Sequence, residues 1–312
     1  MIEGLALTPP VLGRVSIGKV VEKNGKRLPE KDDEFTVTSL VQNKDGWIAH
    51  PLDEALRKAA PDKKLRAIPV TMLFADPDLS FRAAYTAFHR TDGRPVCSGD
   101  GQTCKRRTPE GLVSLPCPAP EACGYGEAYG CKPYGRLNVR IDGQDDDLGS
   151  FIFRTTGYNS IRALAARLKY YQALVGEALP CLPLTLKLRA KSTTQSHRTA
   201  VYFVDLVVRE GMTLGDALQV ARQEAGQRKA AGWDQTALDK AAAAGFALGA
   251  FEDSEEEGEA VVEEFFQATN TAGIGCSTPE GVTPVTPVTP ENNKGASRAD
   301  KLKVKAEVEV TP

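Results

Sequence analysis

The sequence predicts an α+β fold: a mixed, mostly antiparallel sheet with flanking helices and an inserted cysteine-rich loop. Residues 184–191 alternate apolar and charged side chains with the period of a strand. Residues 199–209 form a second strand after a short polar connection, which predicts an antiparallel hairpin. Residues 161–171 carry apolar side chains at helical spacing, which predicts a helix with one face in the core.

The part of the chain before the cysteines supplies strands and one helix. Three strand candidates lie at residues 14–21, 35–41 and 67–75. Residues 79–89 fit either a strand or a helix, and the alternation of their side chains favours the strand. Asn24 and Gly25 supply a turn after the first strand candidate. Residues 51–60 are predicted to be helical, with Asp53 and Glu54 in the first turn, where carboxylates complement the helix dipole.

Regular patterns resume after the cysteines. The remaining strand candidates lie at residues 136–141, 150–156, 184–191 and 199–209. The remaining helix candidates lie at residues 160–175, 213–226 and 236–248. Asn159 or Ser160 is available to cap the first of these helices, and Thr213 caps the second.

The composition changes after residue 250. Residues 251–312 contain 13 acidic and 5 basic side chains, whereas residues 1–250 contain 34 basic and 28 acidic ones. A short amphipathic helix is predicted at 261–268, and a Val-Thr-Pro repeat at 282–290 predicts an extended linker. We therefore expect a folded domain over residues 1–250 and an acidic, mostly disordered tail over 251–312, with 270–312 largely disordered.

Five of the seven cysteines lie in one segment, predicted as an insertion at residues 93–135. They are Cys97, Cys104, Cys117, Cys123 and Cys131. The segment has too few large apolar residues for a core of its own, and four thiolates on a structural Zn²⁺ would hold it together. The spacing C-x6-C-x12-C-x5-C-x7-C lacks a C-x2-C pair, so reduced thiols without metal, or a redox or catalytic use, stay open. His89 is a candidate substitute ligand.

The first 13 residues lack a basic region followed by an apolar core, so we expect no secretion signal. No run of 18 apolar residues predicts a membrane span. An odd number of cysteines without a signal indicates a reducing cytoplasm, where clustered thiols more often bind metal than form disulfides.

A basic face is the best candidate for contacts with nucleic acid. Its residues on the strand at 184–191, in the following loop and on the helix at 160–175 are Lys187, Arg189, Lys191, Arg198, Arg162 and Lys169. Such side chains follow a phosphate backbone without reading sequence. Tyrosines that would offer stacking surfaces, if exposed, are Tyr158, Tyr170, Tyr171 and Tyr202. The alternative is that outward strand positions are simply polar and that Tyr171 belongs to the core.

Common catalytic motifs are absent from the sequence. It contains no GxSxG, no GxxxxGK[ST], no HExxH and no GxGxxG. This argues against the common hydrolases and NTPases, though not against every enzyme.

Several blocks in order resemble one known family. They are residues 14–19 and 35–39, the Cys97-Ser-Gly-Asp-Gly101 element, the stretch from Cys117 through residue 139, and residues 151–160 with the following helix. Over about residues 10–225 the chain resembles the recombination-directionality-factor-like proteins of phages, plasmids and integrative elements.

The resemblance implies a non-enzymatic protein that acts in DNA recombination. The founding member binds the serine integrase of an actinophage, partly on DNA, and turns integration into excision. Many members are known only from an inferred metal-binding function. The resemblance also implies the ligand set Cys97, Cys117, Cys123 and Cys131, with Cys104 as the spare thiol; spacing alone does not make that choice.

Two other functions stay open on the sequence. A single-stranded DNA binding or annealing protein would bind single strands tightly, with strong dependence on salt. A zinc hydrolase would need an open coordination position and a general base. The acidic tail would either dock a partner or compete within the molecule for the basic face.

Overall fold

A computed structural model describes residues 4–23, 26–44, 46–60, 62–192 and 200–266, and of residues 19–32 and 255–256 it describes the backbone alone. The strands in this part of the chain are β1 (Val11–Lys23), β2 (Lys26–Asn43), β3 (Gly46–Ala49), β4 (Ala67–Thr71), β5 (Phe81–Phe88), β6 (Pro95–Gly99), β7 (Thr103–Thr108), β8 (Gly111–Pro116), β9 (Lys132–Ile141), β10 (Ser150–Thr155), β11 (Leu184–Lys191) and β12 (Val201–Val208). The helices are α1 (Pro51–Ala59), α2 (Pro77–Ser80), α3 (Gly124–Tyr129), α4 (Tyr158–Val175), α5 (Leu214–Ala230), α6 (Gln235–Ala247) and α7 (Glu255–Phe265), with 3₁₀ turns at Pro120–Ala122 and Gly176–Cys181.

All the described strands belong to one sheet that forks at β9. The main path runs β3-β2-β1-β10-β9-β5-β6-β7-β8. The first part of β9 pairs with β5, and its last residues pair with β4, which continues through β11 to β12. The pair β1–β10 is parallel and the other described pairs are antiparallel. This confirms the predicted α+β class with a mixed, mostly antiparallel sheet.

One face of the central strands forms the main core. Phe81, Leu137 and Phe153 lie in register on β5, β9 and β10 and are almost completely buried. Leu164 and Leu168 of α4 pack into the same core. The spacing that predicts an apolar stripe on this helix therefore points it at the sheet.

Side chains of helix α4 also form hydrogen bonds with backbone groups on the outer edge of β12. The Ser160 hydroxyl accepts a hydrogen bond from the Val204 amide at 3.0 Å, and the Tyr171 hydroxyl donates to the Leu206 carbonyl at 3.3 Å. Backbone groups on an edge strand otherwise pair with water or with another chain, so the helix shields this edge. Tyr171 is accordingly buried, as its alternative assignment to the core expects.

Side chains of helix α1 likewise form hydrogen bonds with backbone groups of β2. The buried Asp53 carboxylate accepts from the Val37 amide at 2.8 Å and from Arg57 Nε at 2.7 Å. Arg57 Nη2 donates to the Phe35 carbonyl at 2.7 Å. One carboxylate thus fixes both the helix and the strand.

Replacing this carboxylate should destabilise the fold. Asp53→Ala leaves the Val37 amide without its acceptor and Arg57 without its partner, so we expect the free energy of unfolding to fall by about 2 kcal/mol. Urea denaturation measures the change. The matched control is Glu54→Ala, because Glu54 pairs with Lys58 on the exposed side of α1 and should leave stability nearly unchanged. Equal effects of the two substitutions would contradict this role of Asp53.

Two parts of the structure differ from the sequence-based expectation. The cysteine segment was predicted as a loop, but β6, β7 and β8 extend the sheet as a meander beyond β5. The acidic tail was predicted to begin at residue 251, but α7 packs Val261 and Phe266 against Phe88 and Tyr134. The folded body therefore continues through the described residues to 266, because the start of the acidic stretch carries these apolar side chains. The turn at 24–25 and the stretch 270–312 lie outside the described residues.

Candidate thiol cluster and basic surfaces

The β6–β7 hairpin brings the first two cysteines together. Cys97 lies on β6 and Cys104 on β7, and both are buried. The Asp100 carboxylate shapes the turn, because it accepts from the amides of Gln102 and Thr103 at 2.7 and 2.8 Å. These hydrogen bonds lower the pKa of Asp100.

Cys117 joins this pair at the end of β8. Its amide donates to the Gln102 carbonyl at 2.8 Å, which places the residue beside the hairpin turn. A methyl group on Gly99 would lie 2.6 Å from Cys104 Cβ and 3.0 Å from Cys117 Sγ. A side chain at residue 99 would therefore push the thiols apart.

Helix α3 supplies the last two cysteines. Cys123 is its N-cap, and its sulfur accepts from the Gly126 amide at 3.3 Å. The helix ends at Gly130 with a positive φ of 67°, and Cys131 follows directly. A methyl group on Gly126 would lie 3.2 Å from Cys123 Cβ and 3.1 Å from Cys131 Cβ, so this glycine permits the close approach of the two residues.

These five cysteines form the thiol cluster, and all are free thiols. Burial raises the pKa of Cys131 to about 12, and the neighbouring Cys97, Cys117, Cys123 and Cys104 add to the shift. Burial, followed by Cys97, raises the pKa of Cys104 to about 11. Five sulfur donors thus lie in one partly buried cluster at the end of the meander.

Arg106 is a cation at this cluster that the cysteine spacing does not reveal. Its Nη2 donates to Cys123 Sγ at 3.8 Å, and its guanidinium carbon lies 4.0 Å from the centre of the Tyr125 ring. Its pKa is raised, as burial, which lowers it, is outweighed by the hydrogen bond with Cys97 and by the other thiols. The available sequence signal was the basic run Lys105-Arg106-Arg107 beside Cys104.

The cluster offers the sulfur donors that zinc prefers, but its side chains are not arranged in a zinc coordination geometry. Among the described residues, no three His, Cys, Asp or Glu side chains are arranged as a group that could hold a metal ion. His89 Nδ1 lies 2.9 Å from Asp92 Oδ1, and the centre of its ring lies 6.2 Å from that of Tyr129 in α3. The donor set is nevertheless rich in thiols, and zinc binds such sets as thiolates. The four cysteines implied by the resemblance all belong to the cluster.

The predicted basic strand face is exposed. Lys187, Arg189 and Lys191 are exposed on β11, whereas Leu186 and Leu188 are buried. Arg189 Nε pairs with Asp205 at 2.7 Å, and Lys191 Nζ donates to Asn159 Oδ1 at 2.6 Å. The head groups of Arg189 and Lys191, which follow Lys187 along the strand, are thus positioned by neighbouring side chains.

Helix α4 carries two more of the predicted basic residues. Arg162 is exposed, and Lys169 lies 3.8 Å from Asp78. Arg167, which was not among the predicted basic residues, pairs with Asp205 at 3.1 Å. Tyr158 and Tyr170 of α4 and Tyr202 of β12 are exposed. Residue Arg198 lies outside the described residues.

A comparison with protein families decides what kind of protein this is. The family model described as "Gp3-like: Recombination directionality factor-like" matches residues 12–209, well over half of the chain. The chain belongs to the recombination directionality factor-like family. No curated protein and no solved structure matches it. None of the described helices of this family member combines the length and the apolar composition needed to cross a bilayer.

Proposed function

We propose that this protein is a non-enzymatic accessory factor of DNA recombination on a phage, a plasmid or another mobile element. It sets the direction of a serine integrase in the reducing cytoplasm. The family match over residues 12–209 carries the proposal. It assigns the chain to proteins named for directionality, and the site adds a thiol cluster and an exposed basic surface on which macromolecules can be held.

The thiol cluster would bind a structural Zn²⁺ through Cys97, Cys117, Cys123 and Cys131. Such an ion supplies folding free energy and closes its coordination sphere with four thiolates. Arg106 would offset part of the negative charge of these thiolates, because it already contacts Cys123 Sγ. The meander would then present a rigid surface to a recombinase.

The basic surface would contact DNA. Its described residues are Lys187, Arg189, Lys191, Arg162 and Lys169, and the sequence prediction adds Arg198, which lies outside the described residues. Its side chains can neutralise phosphates without reading bases, so the contribution should be insensitive to sequence and sensitive to salt.

Recombination between defined sites tests the proposed function. The purified full-length protein is added to the serine integrase encoded on the same element, with plasmids that carry either the integration sites or the excision sites. We expect stimulation of excision and inhibition of integration. Unchanged yields in both directions would reject the role in directionality.

DNA binding tests the basic surface. The variant Lys187→Gln/Lys191→Gln/Arg162→Gln should bind a labelled DNA duplex about tenfold more weakly. The slope of log K against log salt should be shallower by about 2 to 3, because each phosphate contact contributes about 0.9. The control Lys58→Gln/Lys229→Gln/Lys240→Gln removes three exposed charges elsewhere. An equal loss in both variants would show that only overall charge matters.

A second candidate, a single-stranded DNA binding or annealing protein, is favoured by exposed tyrosines beside the basic residues, above all Tyr158 and Tyr202. It predicts tighter binding to single strands than to duplex, and about a tenfold loss for Tyr158→Ala with single strands alone. A zinc hydrolase is the weaker alternative. Its general base would have to come from outside the thiol cluster, since the cluster holds thiols, Arg106 and tyrosines.

A further inference from the structure

The sheet face opposite the main core carries a row of arginines. Arg82 of β5 is the cross-strand partner of Arg136 of β9, and Arg136 is in turn the partner of Arg154 of β10. Arg14 of β1 lies on the neighbouring strand beyond β10. We call these residues the arginine row. Their strand neighbours Phe81, Leu137, Phe153 and Val15 point into the main core, so the row occupies the other face.

The chain's own acidic segment covers this row. We call residues 252–266 the acidic strap. The ion pairs between strap and row are Arg82–Glu252, Arg136–Glu252 at 3.7 Å, Arg136–Asp253 at 2.9 Å, Arg154–Asp253 at 3.2 Å, Arg154–Glu257 at 2.7 Å and Arg14–Glu264 at 2.6 Å. Every arginine of the row therefore faces a carboxylate of the strap.

The strap also packs against uncharged residues of the folded body. Val261 and Phe266 pack against Phe88 and Tyr134 at one end of the row. Gly258 lies directly against the backbone of Gly93, and a methyl group on Gly258 would collide with the Gly93 carbonyl. The strap is thus held by apolar contacts and by backbone contact as well as by charge.

The guanidinium groups are incompletely satisfied under the strap. Arg136 Nη1 is close to Asp253, but within the described residues Arg136 Nε, Nη1 and Nη2 all lack a hydrogen bond of good geometry, as do Arg154 Nε and Arg14 Nη1. The side chains of Arg136 and Arg154 are 4% and 5% exposed. A cavity of about 120 Å³ remains beside Arg82 and Arg136.

This arrangement is poorly explained by packing alone. Apolar side chains of similar volume usually stabilise a buried contact as well as ion pairs do, and unmade hydrogen bonds of buried guanidinium groups are costly. A row of arginines is what a surface for phosphates requires, because the guanidinium fork matches phosphate oxygens. Across four strands the row spans about 14 Å, the axial length over which one DNA strand presents about four phosphates.

We propose that the arginine row is a second DNA-binding surface, for the phosphate backbone of a duplex, and that the acidic strap is a competitor built into the same chain. All the arginines lie within the residues that the family model matches, whereas the strap lies beyond them. The proposal rests on the proposed function, since it names another surface through which a recombination factor would hold DNA. It places the competitor over the arginine row and not over the basic face of β11.

Displacing the strap without changing any charge tests the proposal. Gly258→Leu in the full-length chain forces the strap away from Gly93. Gly226→Ala is the matched control, because nothing lies within 4 Å of the added methyl group. Hydrogen exchange at residues 255–265 reports release of the strap, and thermal unfolding reports whether the body stays folded.

A second variant is designed to release the strap by removing its ion pairs with the arginine row. Asp253→Asn/Glu257→Gln/Glu264→Gln removes the carboxylates that face the three buried arginines. Glu259→Gln on the exposed side of α7 is its control. This variant keeps the test decisive if Gly258→Leu fails to fold.

Fluorescence anisotropy with a labelled duplex measures the outcome. Release should tighten binding at least about tenfold, because apparent affinity scales with the released fraction. The slope of log K against log salt should steepen by about 3 to 4. Adding Arg82→Gln/Arg154→Gln to the released variant should reverse about half of the change in slope. A folded, released variant with unchanged affinity and slope would overturn the proposal.

Two further outcomes separate the explanations. If the released variant binds a peptide with the sequence of residues 252–266 but not DNA, the arginine row is a binding site for an acidic helix, and the DNA proposal fails. If the wild-type protein redirects integrase but release leaves DNA binding unchanged, this inference fails and the proposed function stands. If release strengthens DNA binding but integrase is not redirected, the proposed function fails alone.

Discussion

Purified protein is expected to contain one zinc ion per chain, and Cys123→Ser is expected to remove it. The meander β6–β8 has few large buried side chains beyond its cysteines. A structural zinc ion contributes on the order of 10 kcal/mol to folding, so its loss should unfold the meander and α3 while the central strands persist. Metal analysis gives the stoichiometry, and hydrogen exchange over residues 95–131 shows the local unfolding.

The spare thiol provides the control. Cys104→Ser should keep the zinc, whereas Cys97→Ser, Cys117→Ser and Cys131→Ser should lose it. Retention of zinc in Cys97→Ser together with loss in Cys104→Ser would exchange the roles of these two neighbours on the β6–β7 hairpin. Protein free of zinc with all five thiols protected in a stable fold would reject the metal site.

Phe153→Ala is expected to lower the free energy of unfolding by about 3 to 5 kcal/mol. Phe153 is 1% exposed on β10, between the partner strands β1 and β9, and belongs to the main core. Truncation removes a large buried ring and leaves a cavity that a sheet fixed on both sides cannot close. Chemical denaturation measures the loss.

Leu40→Ala is the matched control, because Leu40 lies on β2 in the same sheet and is 50% exposed. Its truncation removes little buried area and should leave stability close to that of the wild type. A similar loss in the two variants would show that Phe153 is less tightly packed than its burial indicates.

Much of the fold is predictable from local patterns. Residues 184–191 form β11 because their alternation matches the strand period, and Thr213 caps α5 with the reciprocal hydrogen bonds of a capping box. The alternation at 79–89 likewise predicted β5. These elements are each specified by side chains close in sequence.

The meander was not predictable in this way. Residues 103–108 carry Cys104 among charged side chains, so β7 lacks an apolar face of its own and its sequence predicts a loop. It forms because β6 and β8 pair with it on both sides. The packing of α7 was missed for a related reason, since its acidic residues resemble a solvated tail unless the arginines beneath them are known.

The candidate functional residues were likewise predictable only in part from the sequence. The thiol cluster could be inferred, since five cysteines within a short segment are a strong local signal. The arginine row could not, because Arg82, Arg136 and Arg154 are far apart in sequence and meet only through strand register. The available signal was one arginine among apolar neighbours in each of three strands.

The fork at β9 has a consequence for how the length of this protein can vary. The meander joins the sheet through β5, which pairs with the first residues of β9. The β4–β11–β12 ribbon pairs with the last residues of β9, and β10 pairs along its middle. Insertions at the tip of the meander, near residues 109–110, would extend that branch and leave the opposite one in register. One branch can therefore change in length while the geometry of the other is kept.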